Sequence, residues 1–270
     1  MINKGKILDM LEMGLLTVDE ADDLLASLDE EDAEESMPPD DSNDPDGPDG
    51  PDGPDDPDNP DDMGDIGDMG YTAYGDILGH VHGDLDGDVS GNIGPLAVIE
   101  GDLNGCVSGH ILGRILGDVN GDVGGDMRGR IEGDLNGCVS GTLAGTVVGN
   151  VNGDIGGNAS GQIGCDLNGS VGGNISGTVG GDVNGDVGGS LPGKVGGDLN
   201  GSLGGSLLGV VTGDVNGDIA RDVHGVIGGD LNGSVGGDLT GKVMGDLNGD
   251  VAGRLQGKIC GGIYGTVNRN

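Results

Sequence analysis

From Gly101 onward an aliphatic residue recurs at every fourth position, with a small residue, nearly always Gly, two places before it. The pattern is set by Gly101-Asp102-Leu103-Asn104, Gly105-Cys106-Val107-Ser108 and Gly109-His110-Ile111-Leu112. In extended chain, residues i and i+2 share a side, so the Gly and the aliphatic residue face inward and the other two face out. Gly is expected either where the chain turns or where the inside is too crowded for a Cβ. Four tetrads make a 16-residue unit, and ten such units follow without a slip from Gly101 to Cys260. A fixed period of this length predicts a solenoid in which each coil stacks on its neighbours. The expected fold class is therefore all-β: a β-solenoid with 16 residues per coil. Equivalence of the four tetrads favours a four-sided coil, with a two- or three-sided coil as the alternative.

The pattern sets boundaries. Gly75-Asp76-Ile77-Leu78 opens the repeat, which continues over 75–270. Pro95-Leu96-Ala97-Val98-Ile99-Glu100 puts six residues where a tetrad belongs and shifts the phase by two. Upstream, residues 1–36 carry helical spacing at Ile7, Leu8, Leu11 and Leu15. A Gly14 break follows, then the capping box Thr17-Val18-Asp19-Glu20 and a second apolar face at Ala21, Leu24, Leu25 and Leu28. This predicts a small N-terminal α-helical hairpin, too short to bury much core alone and so suited to a copy of itself or a protein partner. Residues 37–74 hold Pro45-Asp46-Gly47-Pro48-Asp49-Gly50-Pro51-Asp52-Gly53 and read as an acidic, extended, disordered linker.

The tetrads differ in their outward residues, which explains a period of 16 rather than four. The fourth position of tetrad one is Asn in every coil: Asn104, Asn120, Asn136, Asn152, Asn168, Asn184, Asn200, Asn216, Asn232 and Asn248, each followed by Gly. Asn-Gly is a strong turn signal because both residues tolerate positive φ, and a stacked Asn column can hydrogen-bond along the axis. The second position of tetrad one is an acidic column: Asp102, Asp118, Asp134, Asp166, Asp182, Asp198, Asp214, Asp230 and Asp246, with Asn150 between the third and fourth. Carboxylates about 4.8 Å apart repel one another. The second position of tetrad two alternates Cys106, Asp122, Cys138, Asp154, Ser170, Asp186, Ser202, Asp218, Ser234, Asp250, which points to a 32-residue duplication unit. The second position of tetrad four gathers Arg114, Arg130, Lys194, Lys242 and Lys258.

Composition narrows the function. The chain has 270 residues, 65 of them Gly, with no Phe and no Trp, which excludes an aromatic-rich core. The formal net charge is -37, and residues 1–74 hold 25 of the 48 acidic residues. Such a charge argues against binding naked nucleic acid or anionic lipid. The N-terminus lacks the apolar core of a signal peptide, and no apolar run is long enough for a membrane span, so the expected location is cytoplasmic. Cys106, Cys138, Cys165 and Cys260 form no CxxC pair, and Cys106 and Cys138 lie two coils apart, too far for a disulfide. They read as reduced thiols.

Little site chemistry rises above the repeat. Asp118-Val119-Asn120-Gly121-Asp122 copies the start of an EF-hand loop but has Val123 where Gly is needed. His80 and His82 share the outward side of one strand and could chelate a metal, but the sequence supplies no third ligand. No nucleophile, base or nucleotide loop stands out, so no enzyme activity and no cofactor are expected.

Two resemblances follow. The stretch Lys6 to Gly14 with Thr17 to Leu28 resembles the SHOCT-like hairpin of bacterial YvlB/LiaX-type proteins. The Gly-x-aliphatic-x runs, such as Gly177 to Val195, resemble those of bactofilins, polymer-forming cytoskeletal proteins with a β-helical core that assembles end to end without nucleotide. That resemblance implies a structural, self-assembling scaffold and a homo-oligomer or polymer. The 16-residue regularity and the absence of Phe depart from that family, which bears on the end-to-end contact. The C-terminal segment continues the aliphatic pattern and makes Ile263, Tyr264 and Val267 the candidate assembly end. The alternative is a non-polymerising acidic rod, about 55 Å long at one strand spacing per coil, that binds a protein partner as a regulatory or sensor scaffold. DNA mimicry fits less well, because the pentapeptide-repeat mimics it resembles use five-residue sides.

Overall fold

In the computed structural model, residues 73–268 are described. They form an all-β solenoid of about 12 turns with coils of 16 residues. The N-terminal hairpin expected over 1–36 and nearly all of the linker over 37–74 lie outside the described residues.

The aliphatic positions pair in parallel with their equivalents one coil away, with a gap between Ile175 and Leu191, where Pro192 has no N–H to give. In the first three tetrads the contact is a single bridge, as in Leu103↔Val119, Val107↔Val123 and Ile111↔Met127, until the last coil, where Val251–Arg254 pairs with Val267–Asn268 as a separate two-stranded sheet. In the fourth tetrad it widens to two-residue strands, among them β1 (His80–Val81), β2 (Val98–Ile99), β3 (Arg114–Ile115) and β4 (Arg130–Ile131). These stack into one 12-stranded parallel sheet. The register is 16 residues throughout this sheet except between β1 and β2, where Val81 faces Ile99. The six-residue replacement is absorbed there: Pro95 and Leu96 turn outward, Leu96 is 58% exposed, and Ala97 is buried in the core. The ladder reaches back to Ala73, which bridges Val89.

The core is the stack of aliphatic columns and nothing else. From Val81 to Val251 every inward Val, Leu, Ile, Met or Ala is at most 4% exposed, and no polar residue is buried with them. Size variation is local: Met127 and Ala159 both occupy the third column, two coils apart. The β-branched and Leu side chains suit a narrow, fully buried strand stack. Among the described residues, no helix is long and apolar enough to cross a membrane.

Glycine serves packing more than turning. The Asn-Gly pairs were expected to turn through positive φ, but among the described glycines only Gly75 and Gly83 have it. Close approach of the coils is the reason instead: a Cβ on Gly137 would overlap the carbonyl oxygen of Gly121 in the coil before.

Candidate functional site: the outward ladders and the two ends

Outward residues are set by where the backbone N–H of the second tetrad position goes. In tetrad one, the Gly N–H takes the Gly carbonyl of the previous coil, as in Gly117 to Gly101 at 3.1 Å. The following N–H then needs a side-chain acceptor. The acidic column supplies it: Asp118 N–H donates to Asp102 Oδ1 at 2.7 Å, Asp134 to Asp118 at 2.7 Å, and so on to Gly262, which donates to Asp246 at 2.6 Å. Asn150 keeps the ladder intact by accepting from Asp166 at 3.1 Å. A hydrogen bond to a charged acceptor contributes about 1.5–3 kcal/mol. Repulsion between these half-buried carboxylates one coil apart costs about 1 kcal/mol if water screens it fully and about 3–4 kcal/mol at the permittivity of a protein surface. The bonds offset the repulsion, which is how a column of like charges persists.

The same rule explains the other columns. In tetrad two the alternating aspartates accept from the next coil, as Asp122 does from Cys138 and Asp154 from Ser170, each at 2.7 Å. In tetrad three the acceptors are mixed: Asp126 takes the N–H of Thr142 at 2.8 Å, Asn158 that of Asn174 at 2.8 Å, and His110 Nδ1 that of Asp126 at 2.7 Å. The Thr142 bond, helped by Arg128, holds the Asp126 carboxyl below its ordinary range. Tetrad four differs. There the second-position N–H finds a backbone carbonyl, Arg130 to Gly113 at 2.9 Å and Lys194 to Gly177 at 3.0 Å. No acceptor is required of the side chain, so this column holds Arg114, Arg130, Lys194, Lys242 and Lys258, with Val210 and Val226 among them.

The Asn column is one continuous amide ladder. Each Nδ2 donates to the Oδ1 of the preceding coil, from Asn120 onto Asn104 at 2.7 Å to Asn248 onto Asn232 at 2.7 Å. Asn136, Asn152, Asn168, Asn184, Asn200 and Asn216 lie between them in the same chain of bonds. Asn104 starts it by donating to Asp86 at 2.6 Å.

The ladders stop at the last described coil. Tyr264 takes the Asn slot, Gly262 the Asp slot, and Arg254 the acceptor slot of tetrad three. The aliphatic columns do not stop: Leu255, Ile259, Ile263 and Val267 pack against the core but stay partly exposed, whereas Leu239, Val243 and Leu247 one coil earlier are 0% exposed. Tyr264 is 74% exposed, its ring lying over Gly262.

Two ion clusters stand on the fourth-tetrad face. Glu132 accepts from Arg114 at 2.7 Å and from Arg130 at 2.8 and 2.9 Å, and these bonds, Arg130's first, bring its carboxyl down to about 2. Glu100 bridges His80 and His82, with Oε1 3.0 Å from His80 Nε2 and Oε2 3.1 Å from His82 Nδ1. The hydrogen bond with His82, more than that with His80, holds Glu100 below its ordinary range. Sequence reasoning found both histidines and missed Glu100. Its position follows once the six-residue replacement is threaded into the register. All four cysteines are free and exposed.

Comparison with protein families, characterised proteins and solved structures finds no match.

Proposed function

We propose that this chain is a structural scaffold that self-associates by stacking the open aliphatic end of its solenoid on a second copy, in the manner of bactofilins. The carrying observation is the exposure of Leu255, Ile259, Ile263 and Val267 below columns that are otherwise sealed. The Asp and Asn ladders end at Gly262 and Tyr264, so on those two columns the aliphatic residues are what the end offers a second copy. Fully burying one such side chain contributes about 1.5–3 kcal/mol. Eight half-buried chains across two ends therefore contribute roughly 6–12 kcal/mol, against an association cost of at least about 4 kcal/mol. The balance describes assembly that depends on concentration. Charge on the outward columns opposes side-by-side bundling and leaves the ends as the favoured contact.

The four parallel ladders in each coil support the four-sided reading. The free, exposed thiols suit a reducing cytoplasm. A helical hairpin at the N-terminus would recruit a partner rather than drive stacking.

Negative-stain electron microscopy of the full chain at micromolar concentration and near-physiological salt tests the proposal, with a chain lacking residues 261–270 beside it. Filaments or paired rods that change on truncation support stacking. Uniform single rods from both would leave the partner-binding acidic rod as the reading.

A further inference from the structure

His80 and His82 leave β1 on its outward side, and Glu100 follows β2 in the next coil. The register His80↔Val98 and Val81↔Ile99 sets Glu100 across from His82. The two imidazole rings stack with centroids 4.6 Å apart and planes 21° apart, and both present a nitrogen to the same carboxylate. One ligand atom from each residue lies within 4.8 Å of the others, and among the described residues this is the one group of three or more His, Cys, Asp or Glu so placed.

We propose that His80, His82 and Glu100 bind one zinc ion, or a divalent transition metal of similar preference, and so tie two successive coils together. The donor set decides the class. Two imidazole nitrogens and a carboxylate suit zinc, cobalt, nickel or copper, whereas calcium and magnesium want oxygen alone. The spacing agrees. Ligand atoms about 2.0–2.1 Å from a tetrahedral zinc stand roughly 3.3 Å from one another, and the separations here run from 3.0 Å to no more than 4.8 Å. The histidine side chains are 50% and 66% exposed, which leaves the fourth position to water or to a ligand from a partner.

The triad also departs from the repeat where a structural role would not require it. Later coils put Arg114 and Arg130 in the column of His80, and there Glu132 is neutralised by both arginines. In the coil of Glu100 that column holds Val98, so the coil brings no cation of its own and the carboxylate meets two neutral-capable donors instead. Glu132 holds the position equivalent to Glu100 two coils on, but it meets two arginines there, so the combination of this carboxylate with two histidines occurs only at the His80–Glu100 step among the described residues.

The test is a zinc titration of the full chain with the four thiols blocked by iodoacetamide, in millimolar magnesium as a competitor for weak binding to the acidic columns. Imidazole signals are followed by nuclear magnetic resonance, and affinity is followed by calorimetry. The signals of His80 and His82 should move and saturate at one equivalent while those of His110 and His224 stay put. E100Q should weaken binding at least about 10-fold, the pair H80A/H82A should abolish the one-equivalent event, and E132Q should change nothing. These side chains are outward and partly exposed, so the variants leave the core columns intact. Equal movement of all four histidines would overturn the proposal, as would full affinity in H80A/H82A or the same loss in E132Q as in E100Q.

Discussion

Oδ1 of Asp118 accepts the backbone N–H of Asp134, one coil on, at 2.7 Å. Each aspartate of the column thus satisfies the next, and the charge column is a by-product of a backbone requirement. Removing one carboxylate strands one partly buried N–H. Asp182→Ala, which orphans the N–H of Asp198, should lower stability by about 1–3 kcal/mol. Asp182→Asn should stay within about 0.5 kcal/mol of the parent, because Asn150 already fills the same slot. Urea unfolding midpoints of the two variants separate an acceptor requirement from a charge requirement. Equal loss in both would mean that the negative charge itself is needed.

Coil spacing gives a second prediction, about glycine. Gly137→Ala places a methyl against the Gly121 carbonyl and should cost about 3 kcal/mol, because neighbouring coils must part. Gly79→Ala has nothing within 4 Å of its new methyl and no positive φ, so it should be neutral or stabilise by up to about 1 kcal/mol. Thermal unfolding of the pair is the check, and similar losses would contradict the steric account.

Acid stability should report Glu132. Its carboxyl falls from an ordinary 4.5 to about 2 because Arg130 and Arg114 bind the charged form. A depressed folded value contributes stability that is fully present above about pH 4.5 and is lost as pH falls through about 2. Glu132→Gln should therefore flatten the fall in stability across that window and leave its slope at neutral pH unchanged. Unfolding midpoints at pH 6, 4 and 2.5 decide it, and a parallel fall in both proteins would remove Glu132 as a contributor.

Much of this architecture was legible in the four-residue spacing. Aliphatic residues four apart could only be buried by stacking, and Leu103, Val119 and Leu135 fall into line as the period requires. The Asn ladder was legible for the same reason. The purpose of the Asp column was not: sequence shows Asp102 and Asp118 as like charges, and only the register shows that one caps the other's N–H. For the glycine after each Asn the sequence left a turn and a crowded interior both open, and the register decides for crowding, because a neighbouring carbonyl leaves no room. Glu100 escaped notice because the two-residue phase shift hides its alignment with His82, and side-chain proximity across coils depends on that alignment.

The most direct test of the stacking account is sedimentation velocity on the full chain from about 1 to 100 μM, a range that spans dissociation constants of roughly micromolar strength, with Ile263→Asp run beside it. Ile263 bridges Leu247 from the last coil and is partly exposed, so a carboxylate there spoils the end while leaving the earlier coils intact. The account predicts a sedimentation coefficient that rises with concentration for the parent and stays at the single-chain value for the variant. A parent that remains a single chain throughout, or a variant that assembles as the parent does, would contradict it.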